Sequence, residues 1–83
     1  MFTGIIEAMA KILEAGNGRL VIECPSSFTD IKEGSSIAVS GVGLSATELN
    51  KKSIQFSVVP ETIRKTTIGS FKEGDLVNLE RAM

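Results

Sequence analysis

The sequence contains no histidine and a single cysteine, Cys24. Without histidine the commonest general base is gone, and with it the usual nucleophile triads and cysteine–histidine zinc sites. One cysteine cannot close an internal disulfide, so a disulfide-stapled scaffold is excluded too. Any chemistry must rest on carboxylates, hydroxyls, lysines, Cys24 or the backbone, and no metal site is expected. No apolar run approaches the length that spans a bilayer, and the start MFTGIIEAMAK lacks the basic opening and long apolar centre of a secretory signal. A cytoplasmic protein that does not engage a membrane is the expectation. Basic residues are scarce as well: 9 Lys and Arg against 10 Asp and Glu leave a net charge of −1, and Lys51-Lys52 and Arg64-Lys65 are short pairs without neighbouring aromatics. Nucleic acid is not an expected partner.

What is present describes one small β domain, residues 1–83. The chain has the apolar share of a folded globular protein, but at 83 residues it buries proportionally little surface, so its stability margin is thin. Short β-branched and aliphatic runs alternate with Gly, Asn, Pro and Ser, the pattern of short strands joined by turns. Strands are expected at Phe2–Glu14 with a bend at Gly4, Arg19–Cys24, Ser36–Ser40, Leu44–Leu49, Ser53–Val59 and Leu76–Arg81. The glycines of AGNG supply the positive-φ positions of the first hairpin, and the third to fifth strands form a meander. One helical turn, capped by Ser26 or Ser27 and ended by Gly34, is expected between Pro25 and Gly34. After Pro60 a short helical or irregular crossing carries Ile63 and Ile68 inward. Six short antiparallel strands with two longer crossings favour an all-β Greek-key barrel, because closure removes exposed edges. IKEGSSIAV and FKEGDLVNL repeat one turn-into-strand pattern, either a convenient exposed turn used twice or a trace of internal repetition.

The segment VSGVGLSATEL, Val39 to Leu49, has two readings. Gly41 and Gly43 mark a bend or bulge, or they leave bare backbone against which a planar ring lies, with Ser40, Ser45 and Thr47 as small donors and acceptors. A phosphate-binding loop is a third and poorer reading, since neither the GxxxxGK[ST] spacing nor a following helix is present. Glu7, Glu14, Glu23, Glu48, Glu61 and Glu80 are scattered, so surface placement is expected for each. Cys24 reads as a small buried residue rather than a reactive thiol. Phe28, Phe56 and Phe71 read as core, whereas the terminal Phe2 either plugs a barrel end or reaches a neighbouring molecule.

Taken together, the opening MFTGII, IAVSGVGLSATEL, FSVVPETIRKTTIG and the closing FKEGDLVNLERAM closely resemble the N-terminal barrel of the riboflavin synthase family, which includes lumazine-binding luminescence accessory proteins. The match runs in unbroken order from Met1 to Met83. The resemblance implies a six-stranded Greek-key barrel, normally present in two tandem copies, of which this sequence spans the first. It implies binding of 6,7-dimethyl-8-ribityllumazine or riboflavin, and dismutation of two lumazines to riboflavin and a diaminopyrimidine with no cofactor required. Ligand contacts are implied at Gly4, Ile5 and Ile6; at Gly43, Leu44 and Ser45; and at Ser57, Val58, Val59, Pro60, Glu61 and Thr62. Phe2, Thr3 and Ser40 are implied to border the partner's site and to serve catalysis.

Two departures stand out. Gly43 occupies a position where the family usually has Cys, and Ser45 one where it often has Thr; a histidine-bearing family segment lies beyond Met83. The family enzymes are trimeric and pair barrels of different subunits, so a homodimer is the expected assembly for this barrel alone. Three readings follow: a riboflavin synthase barrel, a non-catalytic flavin or lumazine carrier, and a structural fragment.

Overall fold

The computed structural model describes residues 2–16, 18–58 and 71–82. Six strands, β1 (Ala8–Gly16), β2 (Arg19–Glu23), β3 (Ser36–Val39), β4 (Val42–Leu49), β5 (Ser53–Ser57) and β6 (Leu76–Arg81), close into one barrel in the order β1-β2-β5-β4-β3-β6. Every pairing is antiparallel, and β6 returns between β1 and β3 to complete the Greek key. The meander of β3, β4 and β5 is as expected. Alternation of side chains places Ile12, Leu20, Ile22, Ile37, Val39, Ile54, Phe56, Val77 and Leu79 inside, each almost wholly removed from solvent.

Several boundaries differ from the sequence reading for local reasons. Residues 2–7 are not strand but a strap that precedes β1, turning at Gly4 with φ +85°. The expected bend around Gly41 and Gly43 is a two-residue hairpin: Ser40 (φ +47°) and Gly41 (φ +88°) form the tip, and Gly43 lies in regular register opposite Ala38. Gly41→Ala is expected to cost about 1–2 kcal/mol in urea unfolding, because a Cβ is disfavoured at that φ although the space around it is open. Between Pro25 and Gly34 the expected helical turn is replaced by reverse turns, the first closed by the Phe28 amide donating to the Pro25 carbonyl at 2.9 Å and the second formed at Glu33 and Gly34. The crossing with Ile63 and Ile68 lies outside the described residues.

The repeated Lys-Glu-Gly turn is one visible part of a twofold pattern that runs through the barrel. Each turn closes on itself: the Ser35 amide donates to the Lys32 carbonyl and the Asp75 amide to the Lys72 carbonyl, both at 3.0 Å. In each, the side chain of the fourth residue accepts from the first residue's amide, Ser35 Oγ from Lys32 and Asp75 Oδ2 from Lys72. Gly34 and Gly74 donate to the carbonyls of Ala46 and Ile12, the residues at which β4 and β1 shift register. Pairings match as well. Ile12↔Ile22 in the first hairpin becomes Ala46↔Phe56, 34 residues on, and β2·β5 and β3·β6 pair across the pseudo-axis with their own images. The sequence hides this because the equivalent core residues differ in kind.

Candidate functional site

Outward-facing residues of β4, β3 and β6 form a shallow trough. Gly43 lies opposite Ala38, and Ala38 opposite Glu80, so one transverse row carries no side chain, a methyl group and a carboxylate. The strap lies across this row. A Cβ placed on Gly43 would stand 3.2 Å from Phe2 Cε2, closer than ordinary contact, so the missing side chain is what seats the Phe2 ring. Gly43 is therefore neither bulge nor empty platform: its bare backbone is covered by the chain's own aromatic residue, and Phe2 lies on the outer wall rather than plugging a barrel end.

Glu80 fixes the strap. It is the only buried polar or charged residue among those described, 7% exposed, which corrects the surface placement expected for all the glutamates. Its Oε2 accepts the Thr3 amide at 2.5 Å and the Thr3 hydroxyl at 2.8 Å, and its Oε1 accepts the Gly4 amide at 3.0 Å. Burial opposes its charge, but the Thr3 and Gly4 hydrogen bonds prevail and hold the carboxyl below its ordinary pKa. Two hollows flank the strap. One of about 290 Å³ is lined by Gly4, Ile6, Ala38, Ser40, Asn78 and Glu80; one of about 320 Å³ by Thr3, Ile5, Glu7, Glu80 and Arg81. At the rim of the first, Ser40 donates its amide to the Asn78 carbonyl at 2.7 Å, and its Oγ accepts the Asn78 amide at 3.2 Å.

Where the strap runs into β1, Arg81 ties three segments together. Its guanidinium bonds both Glu7 oxygens at 3.1 Å and Asp30 Oδ1 at 2.8 Å, and lies 4.7 Å from the Phe28 ring centre. The Arg81 bonds hold Glu7 and Asp30 below the ordinary carboxylate range. All three carboxylates, Glu7, Asp30 and Glu80, have folded pKa values below their unfolded ones. Their stabilisation is thus complete above the unfolded values and is lost as pH falls. The urea midpoint is expected to hold steady from pH 8 to 6 and to fall on acidification below about pH 4; a flat profile down to pH 3 would contradict these contacts.

The remaining site residues fall into two groups. Ser45 and Ser57 point outward with Ser36, and Ser36 pairs with Ser45. Extending the Ala46↔Phe56 register by one residue brings Ser45 beside Ser57, so hydroxyls line the face next to the Gly43 row. Leu44 and Val58 are buried and face the core, which leaves only their backbone for a ligand. Gly4, Ile5 and Ile6 lie exposed on the strap. Val59, Pro60, Glu61 and Thr62 lie outside the described residues. Phe2, Thr3, Gly4, Ser40 and Gly43 are thus brought to one wall, with Ser45 and Ser57 continuing it across β4 and β5. The arrangement suits recognition of a flat, hydrogen-bonding molecule. Cys24, partly buried and with its thiol pushed up by burial, packs at the core edge away from this wall. Glu80 was missed in the sequence because its partners, Thr3 and Gly4, are more than 70 positions away. Among the described residues, no group of acidic residues and cysteine is placed to hold a metal ion, and no helix is long and apolar enough to cross a membrane.

Comparison with known proteins places this wall in context. The lumazine binding domain family model matches residues 3–82. Riboflavin synthases of Bacillus subtilis and Escherichia coli are each 41% identical to the chain over 87 residues, and that of Saccharomyces cerevisiae 40% over 94. These alignments cover 99–100% of this chain but only 40–41% of each relative, so the chain spans less than half their length. Among solved structures, that of LumP complexed with 6,7-dimethyl-8-(1'-D-ribityl) lumazine superposes with a TM-score of 0.87 at 26% identity, covering 98% of this chain and 47% of the other. With a family match across nearly its whole length, the chain belongs to the lumazine binding domain family.

Proposed function

We propose that this barrel binds 6,7-dimethyl-8-ribityllumazine or riboflavin on its outer wall as one half of a riboflavin synthase active site. The observation that carries the reading is the continuous outward strip of Gly43, Ser45 and Ser57 beside the Phe2 strap, in a member of a lumazine-binding family. A flat ring lies on the strip beside Gly43, and the serine hydroxyls and strand backbone serve its polar edge and ribityl chain. Val59, Pro60, Glu61 and Thr62, which follow Val58 in sequence, complete the ligand contacts, Glu61 and Thr62 toward the ring or ribityl hydroxyls.

The chemistry proposed is transfer of a four-carbon unit between two lumazines, giving riboflavin and a diaminopyrimidine. One lumazine loses a proton from its C7 methyl, its ring accepts the charge, and the resulting carbon attacks the second lumazine. No cofactor is required, since the ring is its own electron sink. The protein's share is to hold two ligands face to face, so two barrels must meet. Within this reading Phe2, Thr3 and Ser40 border the shared chamber, and the isolated barrel works as a homodimer in the cytoplasm. Exposed Ile5, Ile6, Met9 and Leu76 on the strap side supply apolar surface for such pairing.

Incubation of the chain with 6,7-dimethyl-8-ribityllumazine tests this, with binding followed by fluorescence and turnover by riboflavin absorbance. Saturable binding with riboflavin formation that rises more steeply than the first power of protein concentration is expected. Binding without turnover selects a carrier, the reading favoured by Gly43 in place of the cysteine that the resemblance implies. Absence of binding overturns both.

A further inference from the structure

The strap is attached to the wall in an asymmetric way. Residues 2–7 precede β1, and Phe2 is 37% exposed, so packing alone holds the chain end weakly. Glu7 pins the strap's far end to Leu79 and Arg81, but the polar attachment of its first half falls on one group: among the described residues, the Glu80 carboxylate takes its hydrogen bonds from Thr3 and Gly4. Three donors converge on the two oxygens of an outward-facing carboxylate that, with the strap lying on it, is only 7% exposed. We propose that Glu80 is a positioning residue: its ionised carboxylate seats the Phe2–Gly4 strap and so holds the Phe2 ring over Gly43 at the edge of the candidate ligand strip.

This assignment concerns the strap, and its consequence for ligand rests on the function proposed above. A carboxylate is required on geometric grounds. A glutamine in the same place keeps one acceptor and turns an amide group toward the second, so at least one of the three strap donors meets a donor. Loss of the carboxylate charge also forfeits the charge-assisted part of each bond. The neighbouring groups do not substitute for it. Ala38 of β3, Ser40 of the hairpin tip and Asn78 of β6 carry no charge, Glu7 is engaged with Arg81, and Arg81 is taken up by Glu7 and Asp30. Glu7 and Asp30 also lose charge on acidification, but their bonds go to Arg81; the carboxylate that meets Thr3 and Gly4 is Glu80. The exposed glutamates Glu14, Glu23 and Glu48 have no counterpart of this arrangement.

The four phenylalanines make the seat directly observable. In chain grown with 4-fluorophenylalanine, the ¹⁹F resonances of Phe2, Phe28, Phe56 and Phe71 are assigned by single Phe→Leu variants. Phe56, at 0% exposure, reports whether the barrel is folded. Glu80→Gln is expected to move the Phe2 resonance to the solvent-exposed position while Phe56 stays, and acidification of the parent is expected to do the same before Phe56 moves. Thr3→Val, at the exposed chain end, is expected to shift Phe2 in the same direction by less. If the strap is seated in about a tenth of the Glu80→Gln molecules, lumazine affinity falls about tenfold by loss of the competent population. A parent that binds no lumazine defeats the ligand reading and leaves the ¹⁹F result standing. An unmoved Phe2 resonance in Glu80→Gln overturns the positioning role. Should Glu80→Gln shift all four resonances together, an unmoved Phe2 in Thr3→Val overturns it and a moved Phe2 supports it.

Discussion

Phe56→Ala is expected to remove most of the barrel's stability, leaving little folded protein at 37 °C. Phe56 is wholly buried at the centre of the β2-β5-β4 wall, paired with Leu20 on one side and Ala46 on the other. Its twofold counterpart pair is Ile22 with Ile12, so one half of the core is filled by a large residue facing a small one and the other by two of middle size. Truncating Phe56 leaves alanine facing alanine across β4 and β5, a gap that rigid strands cannot close. Such truncations cost about 3–5 kcal/mol. A chain of this length has about 4–12 kcal/mol in total, so the loss is a large share of it and, at the thin margin expected of so small a domain, approaches the whole. Urea unfolding checks this, and a change below about 1 kcal/mol would show that the core relaxes around the cavity.

Gly43→Leu is expected to leave the barrel folded while abolishing its ligand strip. The position faces outward in mid-strand with regular pairing to Ala38, so the β-sheet tolerates a side chain there. The seat does not: even the first carbon of that side chain meets Phe2 Cε2 at 3.2 Å, and the remaining three carbons occupy the ring's place. The Phe2 ring must leave, and a branched side chain then stands beside Ser45 where a planar ligand would lie. Lumazine affinity is expected to fall at least about tenfold, equivalent to 1.4 kcal/mol, with the urea midpoint little changed. Gly43→Cys, the residue implied by the family resemblance, is the milder counterpart. Its Cβ makes the same close contact, but the terminal strap is free to give by a few tenths of an ångström. Retained affinity in Gly43→Leu would place the ligand elsewhere.

The fold was legible where alternation and turn chemistry act locally. The polar–apolar alternation of SIQFS located β5, and Leu76–Arg81 was correct to the residue. Gly18, Gly34 and Gly74 marked turns through their positive φ. Legibility failed where one residue type serves two geometries. Gly41 and Gly43, read together as a bend, differ: Gly41 meets a backbone requirement of the hairpin tip, and Gly43 makes room for a ring from 41 positions away in the chain. Phe2–Glu7 looked like strand because it is apolar, yet that apolar character belongs to a strap lying on the barrel. The resemblance pointed to the ligand now proposed and to residues, among them Phe2, Thr3, Gly4, Ser40 and Gly43, that the fold brings to one wall, which composition alone could not do. Glu80 was out of reach of both, since its role depends on the β3–β6 register that places it opposite Ala38 and beneath Thr3.

The central claim is that the ligand lies on the outer wall beside Gly43, over Ser45 and Ser57, bordered by the strap whose Phe2 covers Gly43. An amide-resolved NMR titration with 6,7-dimethyl-8-ribityllumazine tests it most directly. Saturating shifts concentrated at Thr3–Ile6, Gly43–Ser45 and Ser57–Val58 are the predicted result. Saturating shifts centred instead on the groove of Val21, Glu48, Asn50 and Gln55, toward the other end of β4 and β5, with the strap unmoved, would contradict it.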